Sequence, residues 1–303
     1  MPHSFVSRDC TGAVWRTAAL GMTMLVLSAC STLPEGDAPA SANTAVFGQT
    51  DTDWRPHAEA MAKASVLLLG EQHDAPEHAI AQLEIVDHLL EQQRLAALVL
   101  EMAERGGSTA GLARNASETQ VQQALRWSSG AWPWERYRPV IMAAVSHGVS
   151  VLGGNLPRAA MQDAMQNPHW DTLLPAAEWK YQLQAIEAGH CHMLPAETVP
   201  GMARIQLARD ASMAATLEQA MQPAHGTAVL IAGNGHVIRN AGVPAHLRLP
   251  QGDTYSVYFQ VENGGGPAGA PQDEMLAELR VLTPPLPPVD HCEQFHQRRA
   301  PAQ

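Results

Sequence analysis

The sequence predicts an α/β fold in which a largely parallel β-sheet is flanked by helices, with a polar crevice at the carboxyl ends of the strands. Several short apolar runs are continuous rather than alternating, which is typical of strands buried on both faces. Segments with helical periodicity separate these runs, and strands that alternate with helices favour a layered α/β fold.

The first strand is predicted over residues 65–69, where Gly70 ends an apolar run. A helix follows over residues 76–93, because Pro76 suits a first helical turn and apolar residues then recur at helical spacing. By the same criteria, further strands are predicted over 97–100, 149–152, 227–232, 254–261 and 278–282, and further helices over 139–147, 176–188 and 199–222.

Residues 1–29 have the pattern of a signal peptide. Two arginines precede an apolar run, Thr17–Leu27, that is too short to span a bilayer and ends in small residues. Leu27-Ser-Ala-Cys30 resembles the lipobox of bacterial lipoproteins, in which the cysteine thiol receives a diacylglyceryl group. The alternative is an ordinary signal peptide with an incidental cysteine. Because Ser31 rather than an aspartate follows, the resemblance implies the outer membrane, facing either the periplasm or the surface.

The rest of the chain divides into three parts. Residues 30–50 are rich in Ala, Ser, Pro, Gly and Asp, and are predicted to be a flexible linker. Residues 51–283 are predicted to form one α/β domain. Residues 284–303 form a Pro-rich tail that we expect to be extended and mostly unpacked.

Composition narrows the range of partners. Hydrophobic residues make up 46% of the chain, which is enough for a core, and the formal net charge is −11. A negative protein is repelled by nucleic-acid phosphates and by anionic lipid, so we expect no nucleic-acid partner. Contact with a membrane is therefore expected through the lipid anchor.

Two of the four cysteines remain for the folded domain, Cys191 and Cys292, because Cys10 leaves with the signal peptide and Cys30 carries lipid. In an exported protein they are expected to form a disulfide that attaches the tail to the domain. The alternative is two unpaired buried thiols, since sequence does not give their separation.

Polar and ionisable residues follow four of the predicted strands directly. They are Glu71 and His73, then Glu101, then Asn155 and Arg158, and finally Asn234 and His236. The carboxyl ends of parallel strands meet at one edge of the sheet, where ligands bind, so these residues are expected in one crevice. Taken singly, each is equally explained as a solvated loop residue.

Two strand ends share the pattern Gly-x-x-His, at Gly70–His73 and at Gly233–His236. Glycine allows a sharp turn, from which the histidine can act as a metal ligand, a haem ligand or a general base. Nearby carboxylates such as Glu71 and Glu101 are expected to orient these imidazoles or to join them as metal ligands.

A predicted helix presents Gln206, Arg209, Asp210 and Met213 on one face. A polar stripe of this kind is ordinarily a solvated surface. The alternative is a binding face, on which the arginine holds a carboxylate, a phosphate or a haem propionate.

The segment Trp132–Pro139 concentrates aromatic residues, including Tyr137. Such a loop can line a flat ligand such as a porphyrin. The alternative is a loop whose aromatic residues anchor it on the core.

Together these motifs resemble those of the ChaN-like family of bacterial haem-binding lipoproteins, which is linked to iron acquisition. The resemblance extends from Val66 to about Val281. It rests on the following segments: Leu69-Gly-Glu-Gln-His-Asp74 with His78, Val99-Leu-Glu-Met102, Gly154-Asn-Leu-Pro-Arg158, His190-Cys191, Gln206 to Met213, and Gly233-Asn-Gly-His236.

The resemblance implies haem as cofactor and a homodimer that places two haems face to face between its subunits. Histidine and tyrosine are the usual iron ligands of a haem carrier, so His73, His78, Tyr137 and His236 are the candidate ligands. The other haem-site candidates are Asn155, Arg158, Arg209, Asp210 and Met213.

The two Gly-x-x-His patterns also resemble the wider Tiki and TraB group, which implies a metal-dependent hydrolase as the alternative function. Its catalytic residues would be Glu71, His73, Glu101 and His236, with a divalent metal ion on His73, Glu101 and His236. The sequence leaves open whether the protein is an enzyme, and we favour the haem-binding lipoprotein.

Lipid attachment is directly testable by replacing Cys30. We expect Cys30→Ala to leave the protein without a diacylglyceryl group, which changes its mass and releases it from the membrane fraction. Cys10→Ala is the matched control and should leave both properties unchanged. An unaltered mass and membrane association in Cys30→Ala would contradict the prediction.

Overall fold

The computed structural model describes residues 47–221, 226–250, 252–264 and 275–293. Within these residues, seven parallel strands form one sheet in the order β1-β7-β6-β2-β5-β3-β4. The strands are β1 (Gln49–Asp51), β2 (Val66–Glu71), β3 (Leu95–Glu104), β4 (Val151–Asn155), β5 (Thr227–Gly233), β6 (Thr254–Val261) and β7 (Leu279–Thr283). The helices are α1 (Ala58–Lys63), α2 (Pro76–Glu91), α3 (Glu118–Leu125), α4 (Trp134–Ser146), α5 (Met161–Gln166), α6 (Ala176–Gly189) and α7 (Val199–Ala220). The predicted α/β fold is confirmed.

The central strands are continuous apolar runs because each supplies two cores. In β2, Leu67 and Leu69 pack on one face of the sheet with residues of α2 and α4. The alternate residues Val66 and Leu68 pack on the other face with residues of α7. Every residue of β2 and β5 is buried, and their polar residues, Glu71 and Thr227, lie at strand ends.

Several elements differ from the sequence-based expectation, and helices α1 and α5 were not predicted. Helix α4 begins at Trp134, five residues before the predicted start, and contains Pro139 in its second turn. Helix α3 was not predicted, although Ser117 and Gln120 form a capping box that is recognisable in sequence. Strand β1 lies on the boundary predicted at residue 50: Gln49 and Thr50 pair with β7, so the linker ends before them.

Several predicted segments lie outside the described residues. They are the signal peptide, Cys30, most of the linker, the last residue of the helix predicted to end at Gln222, and residues 294–303 of the tail. Among the described helices, none has both the length and the apolar character required to cross a bilayer.

The described part of the tail, residues 284–293, is largely exposed and is attached to the domain at a few points. The backbone C=O of Leu286 accepts a hydrogen bond from the side-chain amide of Asn263, which follows β6, and its N–H donates one to the Oδ1 of the same side chain. Further along, the His291 imidazole lies 3.3 Å from a carboxylate oxygen of Asp74. The structure joins Cys292 to Cys191, which follows α6, by a disulfide with Cα atoms 5.6 Å apart. The tail therefore runs across the carboxyl edge of the sheet.

We expect the Cys191–Cys292 disulfide to stabilise the folded chain, because it closes a loop with a sequence separation of 101 residues. With Cys10 and Cys30 replaced by serine, thiol titration of the denatured, unreduced protein should detect no free thiol. Cys292→Ser should lower the free energy of unfolding by up to about 4 kcal/mol. Two free thiols, or equal stability of the two proteins, would refute the prediction.

Candidate functional site

The parallel register brings the polar strand ends together at one edge of the sheet. Glu71, the last residue of β2, lies opposite Gly233, the last residue of β5. On the other side of β5, Leu100 of β3 lies opposite Ile231, which brings Glu101 close to Gly233. This edge is where ligands bind in parallel α/β sheets.

A β-bulge directs Glu101 toward the site. The pairing of β3 with β4 shifts between Leu100 and Glu104, so that β3 carries two extra residues there. Gly153 of β4 accommodates the bulged backbone, since a Cβ atom at this position would lie 2.0 Å from the carbonyl oxygen of Glu104. The predicted strand over 97–100 was therefore too short.

The Glu101 carboxylate is the centre of the polar cluster and is almost completely buried. Its Oε2 accepts a hydrogen bond of 2.7 Å from the backbone N–H of Gly233, and its Oε1 accepts one of 2.9 Å from Arg209 on α7. Arg209 also donates to the side chain of Asn155, whose amide donates to the Glu101 carbonyl. Burial raises the pKa of Glu101, but the positive charges of His236 and Arg209 outweigh it and hold that pKa well below its usual range.

His236 lies between two carboxylates. Its Nδ1 is 2.5 Å from Asp210 of α7, and its Nε2 is 3.4 Å from Oε1 of Glu101. Burial opposes the charged imidazole, but the two carboxylates outweigh it and raise the pKa of His236 to about 10. His236 is therefore an imidazolium at neutral pH in this arrangement.

A second histidine, His73, contacts a different pair of residues, Glu71 and through it Tyr137. Its Nδ1 is 2.8 Å from Oε1 of Glu71, and the same oxygen accepts a hydrogen bond of 2.6 Å from the hydroxyl of Tyr137. Its Nε2 faces Oε2 of Glu101 at 3.8 Å. A Cβ atom on Gly233 would lie 2.9 Å from this nitrogen, so the glycine makes room for the ring. Burial lowers the pKa of His73, but the bond to Glu71 and the charge of Glu101 outweigh it and raise that pKa.

The metal set of the alternative interpretation is not assembled. Within the described ranges, no three His, Cys, Asp or Glu side chains converge as a metal ion would require. The oxygens of Glu101 are occupied by Arg209 and Gly233, while His73 and His236 approach different oxygens of this carboxylate. The guanidinium of Arg209 supplies the positive charge that a metal would bring.

An open cleft of about 410 Å³ adjoins this cluster. Glu101, Asn155 and Arg209 form its floor, and the walls are largely apolar. The wall and rim residues include Met102, Trp132, Leu156 and Met161, and the three charged residues Glu104, Arg126 and Arg158. A cleft with apolar walls and a few charged groups is the usual form of a small-molecule site.

Four predicted haem-site residues lie buried away from the cleft. His78 is fully buried, accepts a hydrogen bond from the Gln72 N–H and contacts Thr283; burial lowers its pKa to about 4. Met213 belongs to the core on the α7 face of the sheet, and Asp210 is fully buried against His236. Tyr137 is 1% exposed, and burial together with the charge of Glu71 raises its pKa, so it is not an accessible phenolate.

The aromatic segment is not a single loop: Trp132 precedes α4, and Trp134 and Tyr137 lie on it. Trp134 and Tyr137 are buried in the core, as the alternative interpretation required. Trp132 instead lines the cleft, with its ring in edge contact with His73 at 4.8 Å between centroids. Sequence reasoning missed Arg126, which follows α3 with a positive φ of 53° and has no neighbouring motif to mark it.

The fold and the site together define an α/β protein with an arginine-rimmed cleft at the carboxyl edge of its sheet. Residues 57–247 match the family described as haem-binding uptake, Tiki superfamily, ChaN, and the chain belongs to this family.

Several solved structures are similar to this chain. A structure described as cofacial haem binding to ChaN of Campylobacter jejuni matches with a TM-score of 0.54 and 21% identity, covering 70% of this chain and 88% of that one. A succinoglycan biosynthesis protein matches with a TM-score of 0.40 and 12% identity over 69% of each chain. A mutant erythromycin esterase in its open conformation matches with a TM-score of 0.39 and 14% identity, covering 72% of this chain and 78% of that one. Among curated proteins, none matches the chain.

The raised pKa of His236 predicts a loss of stability at alkaline pH. In the unfolded chain the imidazole titrates near pH 6.5. The stabilisation that the charged His236 gives to the folded state is therefore complete below that pH and is lost as pH rises through about 10. Between these pH values, the free energy of unfolding measured with urea should fall by up to about 1.4 kcal/mol per pH unit more in the wild type than in His236→Gln. The control variant His147→Gln replaces an exposed histidine, and its free energy of unfolding should have the same pH dependence as that of the wild type. An NMR titration placing the pKa of His236 below 7 would exclude this account.

Proposed function

We propose that this protein is a membrane-anchored haem-binding lipoprotein that takes part in haem and iron uptake. The observation that carries the proposal is the cleft beside Glu101, in a chain that belongs to a haem-binding uptake family. It has apolar walls for a flat macrocycle and arginines at its rim for carboxylates.

The residues of the cleft fit haem. Trp132, Leu156 and Met161 would contact the faces of the ring, and Arg126 and Arg158 would hold the propionates. Among the described residues, no carboxylate is bonded to the guanidinium of either arginine, so both are available to an anionic ligand. Bound haem supplies the iron that uptake requires.

Anchoring and assembly complete the proposal. The lipobox-like sequence ending at Cys30 supports attachment to the outer membrane, which suits a protein that receives haem from outside the cell. The ChaN structure of Campylobacter jejuni is described as binding haem cofacially. By analogy, we propose that haem binding brings two copies of this chain together as a homodimer.

Haemin titration tests the proposal. We expect a shifted Soret band with micromolar or tighter affinity, accompanied by a change from monomer to dimer in sedimentation velocity. Trp132→Ala should weaken binding about tenfold, because the indole forms a wall of the cleft. Trp179→Ala is the matched control, since Trp179 lies on α6 and does not line the cleft.

A hydrolase is the second candidate function, favoured by the contacts among Tyr137, Glu71 and His73. A buried carboxylate that orients a partly exposed imidazole is suited to general acid–base catalysis. The protein would be a hydrolase if it gave no Soret shift, cleaved a peptide or ester, and lost that activity in the double variant His73→Ala with His236→Ala. A haem carrier has no such activity to lose.

A further inference from the structure

A second cavity, of about 350 Å³, lies near the amino ends of β6 and β7. Thr254, the first residue of β6, and Glu278, which directly precedes β7, belong to its lining. Most of the other lining residues come from the start of α6 and from the segment 244–250 that leads into β6. The cavity shares no lining residue with the cleft beside Glu101, so it is independent of the proposed haem site.

The walls of this second cavity are mostly apolar. Leu174 belongs to the core on the α7 face of the sheet, and Leu247 and Leu249 pack against that core. Leu173 is 40% exposed, which few large apolar side chains among the described residues are. A concave site with walls of this kind is suited to a ligand that has a hydrocarbon part.

Glu178 is the unusual group in this lining. It is only 6% exposed, and its Oε2 is completely buried without a hydrogen-bond partner among the described residues. Glu178 is the third residue of α6, a position from which a glutamate ordinarily accepts a hydrogen bond from the N–H of the N-cap residue. Here the N-cap residue is Pro175, which has no N–H, so that bond cannot form.

The other two charged residues of the lining neutralise each other. The Glu278 carboxylate pairs with Arg239 through Oε1 and accepts the N–H of Ser256 through Oε2. The described lining is therefore left with one uncompensated negative charge, that of Glu178. A carboxylate removed from water without a counter-charge is costly in free energy, so a cation that pairs with it is favoured there.

We propose that this cavity binds a small primary ammonium ion, whose N–H groups donate to Glu178 and whose hydrocarbon part packs against Leu173 and Leu247. The described lining contains no aromatic ring, so a quaternary ammonium ion, which has no N–H, would find neither a cation–π partner nor a hydrogen bond. An inorganic cation such as Ca²⁺ requires several oxygen ligands, which the apolar walls do not supply.

Three probes with the same hydrocarbon chain test this proposal, because they differ only at the head group. Hexylamine, 1-hexanol and hexyltrimethylammonium are titrated into the full chain at neutral pH, and binding is followed by ligand-observed NMR. Hexylamine should bind most tightly. The other two should bind at least about tenfold more weakly, because neither brings a charged N–H donor to the carboxylate.

Variants then locate the contact. Glu178→Gln should weaken hexylamine binding about tenfold and leave the weak binding of 1-hexanol unchanged. Glu197→Gln is the matched control, because it removes the same charge from an exposed residue that does not line the cavity. Ala245→Leu enlarges an exposed residue of the lining and keeps the carboxylate, so it should weaken the binding of all three probes.

A purely structural role for Glu178 gives a different result. If this carboxylate only complements the dipole of α6, Glu178→Gln lowers the free energy of unfolding and leaves hexylamine binding as in the wild type. That result overturns the proposal, as does equal binding of hexylamine and 1-hexanol or an absence of hexylamine binding. Loss of hexylamine binding in Glu178→Gln, with binding retained in Glu197→Gln, supports it.

Discussion

The buried carboxylate of Glu101 is the interaction on which the rest of the site depends. Moving an ionised carboxylate from water into a protein interior costs several kcal/mol unless hydrogen bonds and opposite charges replace the lost water. The N–H of Gly233, the guanidinium of Arg209 and the imidazolium of His236 make that replacement. Because two of them lie at the end of β5 and in the turn that follows it, and the third lies on α7, two separate segments must dock correctly around one side chain.

The cluster pairs carboxylates with basic groups once these segments dock. Three carboxylates, those of Glu71, Glu101 and Asp210, face three basic side chains, those of His73, Arg209 and His236. Each of these groups has its partner within the cluster. The rim of the cleft differs, because two guanidinium groups there face one carboxylate. The repulsion expected from a net charge of −11 acts at longer range and is screened beyond about 10 Å at 0.1 M salt.

The sequence predicted the strands and the polar edge because both follow from local patterns. Continuous apolar runs identify strands buried on two faces, and parallel strands must bring residues such as Glu71 and Glu101 to one edge. Which side chains face the cleft depends instead on contacts between distant segments. The stripe that contains Arg209 and Asp210 has the spacing of a solvated helix face, and only docking of α7 on β3 and β5 buries it. Arg126 joins the rim through a helix terminus that periodicity does not predict.

His78 illustrates how a motif residue can matter without touching a ligand. Because burial keeps its pKa near 4, the ring is neutral at physiological pH, and its Nδ1 is free to accept the N–H of Gln72. The Gln72 side chain in turn accepts the N–H of Val261 at the end of β6. The turn that carries His73 is thereby fixed from α2 on one side and from the sheet on the other. His78 was one of four candidate haem ligands because of its residue type, whereas its surroundings make it the support that positions His73 between Glu71 and Glu101.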